Sequence, residues 1–306
     1  VVPLRSFELS EKKKILSGPS HFTAVFADKL SEGNMVFRTI DNVGRRVIEN
    51  IEYTIRVLSM VYFSLRATMS DQSQGIRTIF SVVSAQIYFT GWQAMPLISV
   101  LALATGSIVI LQSSAQLSLL GGTSMIGNLL VVIIVREVGP LLTALVVIAR
   151  SGTAVASEVG NMRANREIEA LESMGINPLS FIVFPRIVGG VISVICLAYY
   201  YIVIALFGGY LFTRLIHDMP MAFYTESLVR ALAVEDIFLF LVKTAFGGMI
   251  IFVVSCYQGL LVKRSSHEVP QVTTKAVVDS IIYVTVFNLS VTTLFYLNQL
   301  INMGVI

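Results

Sequence analysis

The stretch SMIGNLLVVIIVREVGPLLTALVVIAR, residues 124–150, decides the fold. Its only charges are Arg136, Glu137 and the terminal Arg150. A helix needs about 20 mostly apolar residues to cross the hydrocarbon layer of a bilayer, and this run exceeds that. Four more runs share its character, at about Gln86–Leu111, Ile187–Phe212, Ile237–Val262 and Val277–Leu300. Tyr88 and Trp92 stand near one end of the first, as interfacial aromatics do, and Pro185 precedes the third. Across all 306 residues, 55% are hydrophobic and 13% charged, against about 25% charged in soluble domains. The reading is an all-α polytopic membrane protein with five transmembrane helices, not a pair of soluble domains. No period of 20–50 residues recurs, which excludes a repeat architecture.

Upstream, residues 1–32 form a polar segment of mixed charge, and 33–85 are expected to hold an amphipathic helix ahead of the five-span membrane domain at 86–306. Val36, Ile40, Val43, Val47, Ile51, Ile55, Leu58, Tyr62 and Leu65 recur every three or four residues, with Arg38, Asp41, Arg45, Arg46, Glu49, Glu52 and Arg56 on the other side. Such a helix either packs on a soluble domain or lies in the headgroup region; the spans that follow favour the interface. Ser70–Gly75 breaks it with small polar residues.

Eleven of the 22 Lys and Arg precede residue 78, but eight acids share that segment, so it is no nucleic-acid patch. A face beside anionic lipid explains it better. The links between spans two and three (Arg163, Arg166) and between four and five (Lys263, Arg264, Lys275) are basic, whereas residues 112–123 and the tail after Leu300 carry no cation. The positive-inside rule then puts the N-terminus and both basic links in the cytoplasm and the C-terminus outside. Cys196 and Cys256 lie in apolar runs and form no disulfide framework. No cleavable leader pattern is read at the start.

The link between spans two and three spells a short amphipathic helix: Asn165 as cap, Glu167 and Glu169 in the first turns, Gly175 as terminator and Pro178 beyond it. Ile168, Leu171 and Met174 share one side. Such a rod either inserts in a partner's groove or rests on the membrane surface. Just before it, Gly152, Ala156 and Gly160 form a small-residue strip suited to close helix packing. Arg136, Glu137 and Lys243 are ionisable groups in apolar runs, where they face a polar cavity or another polar group, or snorkel to the interface. Adjacent on a helix, Arg136 and Glu137 point about 100° apart and do not pair by default; Lys243 is the available counter-charge for Glu137.

No GxxxxGK[ST] phosphate loop is present, so the chain is not itself an ATPase. HExxH and GxSxG are absent too, and His21, His217 and His267 are far apart in sequence. No constellation for catalysis or for a metal is visible.

The run REVGPLLTAL (136–145), with ARSG (149–152), SEVGNM (157–162), EIEALESMG (167–175), Asn177-Pro178 and Pro185-Arg186, resembles the signature of MlaE/YrbE permeases. So do QIYFTG (86–91), Tyr257-Gln258-Gly259 and TTKAV (273–277), and the similarity extends from about residue 40 to the end. The resemblance implies a homodimeric ABC transporter permease in the bacterial inner membrane that moves phospholipid or a similar lipid. It implies a cytoplasmic ABC ATPase, which binds the ATP and magnesium while the permease holds no cofactor. A periplasmic MCE-domain protein is implied outside, with a STAS-domain protein on the ATPase in some systems. The ATPase would dock on the link helix, making Arg163, Glu167, Ile168, Glu169, Leu171, Glu172 and Met174 coupling residues. Arg136, Glu137, Lys243 and Asn288 would line the lipid cavity. Asn288 stands where some members have an acid, and Arg166 replaces an acid common before the link helix. Residues 1–32 lie outside the resemblance and admit the reading of a remnant regulatory domain. A rival function is a non-transporting scaffold that anchors a lipid-binding MCE protein.

Overall fold

The computed structural model describes residues 52–68, 76–119, 126–216, 220–263 and 265–302. The polar segment 1–32, the stripe from Val36 to Ile51 and the break at Ser70–Gly75 lie outside them. By contacts the chain divides into two units, Val1–Arg56 and Val57–Ile306. In the first, Arg56 and Glu52 pair at 2.9 Å one turn apart on an exposed face. The rest of this description concerns the second.

No strand occurs among the described residues. Five helices among these residues are long and apolar enough to cross a membrane: Ile79–Ser113, Gly127–Ala164, Leu179–Phe212, Val234–Leu260 and Ser266–Ile301. We label the helical pieces α1 (52–68), α2 (Ile76–Thr90), α3 (Met95–Leu119), α4 (Ile126–Leu130), α5 (Gly139–Val147), α6 (Thr153–Ala164), α7 (Glu167–Ser173), α8 (Phe184–Ile216), α9 (Met221–Ala231), α10 (Val234–Leu260) and α11 (Val269–Asn302). Three π-helical stretches, Val131–Val138, Ile148–Gly152 and Leu179–Val183, interrupt the second span and open the third.

The helices outrun the apolar windows that announce them. Helix begins at Ile76 rather than near Gln86, and the second span continues past Arg150 to Ala164. Hydropathy marks the part that must meet lipid, whereas backbone hydrogen bonding carries a helix on through polar residues until a breaker stops it. Arg150 is therefore inside a helix rather than at the end of one. Its guanidinium donates to the Phe89 carbonyl at 2.9 Å and to Gln93 Oε1 at 2.8 Å, and it lies 5.0 Å over the Phe89 ring. It thus serves the point near Gly91 where α2 breaks into the 3-10 turn Trp92–Ala94.

Contacts between spans give their directions. Ser99 bonds Tyr200 at 2.7 Å, Thr105 bonds Tyr201, and the backbone at Gly106 touches Ala205, so spans one and three run parallel. Lys243 meets Glu137 and Ser255 faces Gly152, which makes spans two and four parallel. Gln258 meets Asp279 at 2.7 Å while Phe246 stacks near Phe287, so span five runs against span four. Phe252 packs on Gly190 and Val194 on Gly248, which sets span three against span four. Odd spans point one way and even spans the other. Tyr201, Phe252, Ile98, Ile134 and Leu197 are buried in the core they share. In α1, Met60 and Ser64 turn inward, with Ser64 donating to the Leu179 carbonyl at 3.1 Å, while Leu58, Tyr62 and Leu65 are exposed. The described members of the apolar stripe in this unit, Leu58, Tyr62 and Leu65, thus face away from the core.

Between spans three and four, α9 is pinned by Tyr224, whose hydroxyl donates to the Leu206 carbonyl at 3.0 Å. Burial pushes its phenol pKa up and keeps that donor protonated. The tightest interhelix approach is α3 on α8: a Cβ on Gly106 would overlap the Ala205 backbone. Rigid backbone cannot yield as a side-chain tip can. Gly106→Val should therefore lower the unfolding midpoint of the purified protein in detergent, by the equivalent of about 1–3 kcal/mol of overpacking; an unchanged midpoint would show that the helices separate freely.

Candidate functional site

The site begins with a proline. In a regular helix the carbonyl of Arg136 accepts from the N–H of residue 140, but residue 140 is Pro and has none. The segment before it, Val131–Val138, is π-helical, with Gly139 N–H donating back to the Ile134 carbonyl. Pi-helical turns are rare and cluster at functional sites. The Arg136 carbonyl receives its donor from another helix: Lys243 Nζ on α10 lies 2.8 Å away. The same ammonium is 2.9 Å from Glu137 Oε1. One buried cation thus serves both a carbonyl that Pro140 cannot reach and a carboxylate.

Glu137 also faces Thr292 on α11, whose hydroxyl is 3.1 Å from Oε1 and 3.3 Å from Oε2. That hydroxyl lies 2.9 Å from the Asn288 carbonyl as well. With one proton to give, Thr292 shares it between backbone and carboxylate. Asn288 is buried but its amide bonds its own helix, donating to the Val284 carbonyl at 2.9 Å. It therefore joins the cluster only through Thr292.

Arg136 finds a different partner. Its Nε is 2.7 Å from Asp236 Oδ1 in the first turn of α10, an ion pair whose N–H is not aligned on the oxygen, and its guanidinium lies 5.3 Å over the Phe295 ring. Asp236 Oδ2 meanwhile accepts from the Ala233 N–H at 3.0 Å and caps α10. Side-chain exposure orders the four charges: Asp236 and Lys243 at 0%, Arg136 at 13% and Glu137 at 39%. Asp236 and Lys243 are seven residues apart, two turns on one face of α10. Each meets one of the adjacent pair Arg136-Glu137, whose divergent side chains therefore do not need each other. The pairing of Glu137 with Lys243 is as the sequence suggests. Asp236 was missed, because it precedes the apolar window of span four; the signal was a cation at Arg136 without an assigned partner.

The small residues lie against α10 and, at Gly160, against Val262 just beyond it and Val269 at the start of α11. A Cβ on Gly152 would come 3.1 Å from Ser255 Oγ, one on Gly160 would come 3.2 Å from Val262, and Gly259 approaches the Ala156 carbonyl. Their neighbour is thus within the chain. The link helix α7 does not start at Asn165, which closes α6 instead. Arg166 takes a left-handed conformation (φ 61°) and turns the chain into α7. At the other end Gly175 (φ 76°) allows the terminating bonds Gly175 N–H to Glu172 and Ile176 N–H to Leu171, both 3.0 Å. Asn177 then caps the third span, accepting from the Leu179 N–H at 3.0 Å. Ile168 is buried and Leu171 half-buried on the chain's own core, and Arg163 pairs with Glu169 at 3.1 Å. Glu167 and Glu172 are exposed, and Met174 is 65% exposed. The apolar side of α7 is therefore split: Ile168 holds the helix in place and Met174 projects outward.

A family model described as Permease MlaE matches residues 83–294, which include the whole charge cluster except part of Phe295's surroundings. The chain belongs to the MlaE permease family. It is 31% identical to a probable ABC transporter permease protein of Rickettsia conorii, over 86% of this chain and 99% of the relative. It is 27% identical to the intermembrane phospholipid transport system permease protein MlaE of Haemophilus influenzae, over 80% of this chain and 93% of that protein. A probable ABC transporter permease protein of Synechocystis is also 27% identical, over 66% of this chain and 77% of the relative. The protein is thus an MlaE-family ABC transporter permease with five membrane-spanning helices.

In this permease, removing Lys243 would strand the Arg136 carbonyl and the Glu137 carboxylate together. Breaking a buried ion pair costs about 3–5 kcal/mol, less here because Glu137 is partly open. Lys243→Met should lower the stability of the detergent-solubilised protein, and Pro140→Ala should reduce that cost by returning an N–H to the Arg136 carbonyl. Strictly additive unfolding energies in the double variant would show that the ammonium does not serve this carbonyl.

Proposed function

We propose that this permease moves phospholipid between the bacterial inner membrane and an MCE-type partner outside it, as a homodimer driven by a separate ABC ATPase. The observation that carries the reading is the half-open Glu137 carboxylate, held by Lys243 and Thr292 amid apolar spans. A charge retained at such cost inside a membrane protein implies a polar ligand or pathway. The likeness to a phospholipid transport permease of Haemophilus influenzae supports lipid as that ligand. A second copy of the chain is the natural cover for α11, the least buried of the five spans; the two clusters would then border one central lipid space. Asn288 and Arg136 complete its polar wall.

The ATPase, with its ATP and magnesium, docks on α7 from the cytoplasm in this proposal. The N-terminus lies on the same side and the C-terminus on the other. Glu167, Glu172 and Met174 supply contact, Arg163 and Glu169 brace the helix, and Ile168 and Leu171 transmit its motion to the spans they pack against. A STAS-domain protein would act on the ATPase rather than on this chain.

Two variants separate the parts. Met174→Asp should abolish co-purification of the ATPase while the permease keeps its unfolding midpoint, because Met174 is not part of the core; a full complement of ATPase would remove α7 from the interface. Glu137→Ala should cut lipid transfer in the reconstituted complex at least severalfold with the assembly intact. Wild-type transfer would exclude the carboxylate from the lipid path.

A further inference from the structure

The four charges of the cluster do not offer themselves equally to a ligand. Asp236 and Lys243 have no exposed side-chain surface, and each is already engaged. Lys243 is the cation one would first assign to a lipid phosphate, yet it is committed to the Arg136 carbonyl and to Glu137 Oε1. To reach a phosphate it would have to leave both unsatisfied, at the cost that attends any buried unpaired polar group. Arg136 is one-third as exposed as Glu137, held by Asp236 and stacked on Phe295. The charges sum to zero, so the cluster offers no net positive potential to an anionic headgroup.

Glu137 is the open group. A carboxylate has about four acceptor positions. Lys243 fills one, and Thr292 supplies a single proton that it also shares with the Asn288 carbonyl. Among the described residues, Oε2 receives no other donor than that shared hydroxyl at 3.3 Å. What Oε2 lacks, unlike Oε1, is a donor that carries positive charge.

We infer that Glu137 selects phospholipids whose headgroup bears a protonated primary amine, such as ethanolamine, over headgroups that end in hydroxyls alone. The inference rests on the phospholipid reading above and adds to it the headgroup chemistry. An ammonium supplies charged N–H donors to the open Oε2; a glycerol headgroup brings only neutral hydroxyl donors, and it carries a net negative charge past the exposed carboxylate. A trimethylated amine keeps the charge and loses the N–H donors. Hydrogen bonds to charged groups contribute about 1.5–3 kcal/mol and each 1.4 kcal/mol is a factor of ten, so the preference is on the order of tenfold.

The test uses the full-length permease in its complex, reconstituted in bilayers holding equal amounts of photoactivatable phosphatidylethanolamine, phosphatidylcholine and phosphatidylglycerol with identical acyl chains. Lipid captured on the α11 segment around Thr292 is counted by mass spectrometry. Wild type should capture ethanolamine over glycerol headgroups roughly tenfold, with choline between. E137Q should bring the ratio close to one while still capturing lipid, and E137D should retain the preference. Equal capture of the three lipids by wild type, or a glycerol headgroup in excess, overturns the inference while leaving phospholipid as the cargo. An undiminished ratio in a folded E137Q also overturns it. No capture of any lipid by wild type sinks the phospholipid reading itself, and this selectivity with it. Should E137Q not fold, the three-lipid comparison on wild type decides alone.

Discussion

The ammonium of Lys243 holds together two groups that would otherwise be stranded within a membrane protein: a carbonyl deprived of its helical donor by Pro140, and the carboxylate of Glu137. Without it the carbonyl would lose its donor and the partly open carboxylate its counter-charge, each at a cost in stability. The arrangement ties the π-helical turn of span two to the middle of span four, and Thr292 ties span five to the same point. Three helices thus meet at one polar node, with the second ion pair, Arg136 to Asp236, closing the contact two turns toward the start of α10. The site is then a consequence of how the helices are joined rather than an ornament on a finished bundle.

Around that node the packing is of two kinds. Where α6 meets α10, and α3 meets α8, small residues let backbones approach, and van der Waals contact supplies the attraction that water would otherwise provide. Where polar side chains meet, as at Arg150 with Phe89 and Gln93, or Gln258 with Asp279, they satisfy breaks or each other. Helix breaks and polar bridges go together: the α2 break is served by Arg150, and the Pro140 site by Lys243. A membrane interior gives a freed carbonyl no water to turn to, so a bridge from a neighbouring helix becomes obligatory.

The link helix shows the same economy on a smaller scale. A left-handed residue at Arg166 and another at Gly175 bracket seven residues of helix, and Ile168 anchors them to the spans. Anything that grips its exposed side acts on a part already packed against the core. That makes α7 a lever with a short arm rather than a loose loop.

Five apolar runs, their separation by polar links and the resemblance of residues 136–178 to a family were legible in the residues alone, because lipid demands long uninterrupted hydropathy and breakers such as Gly175 and Pro178 act locally. The counter-charge for Glu137 was legible too, since Lys243 was the one cation set in span four. Only the tertiary structure assigned the rest. Asp236 lay outside the apolar window, Asn165 closed α6 while Arg166 opened α7, and Ile168 was buried against the chain's own core. The difference in exposure between Lys243 and Glu137 likewise depends on which helices surround them. A sequence states which groups are charged and how they repeat along one helix. Which of them is covered, and which left open, is decided by the neighbouring helices, whose approach is set by small residues and broken hydrogen bonds far away along the chain.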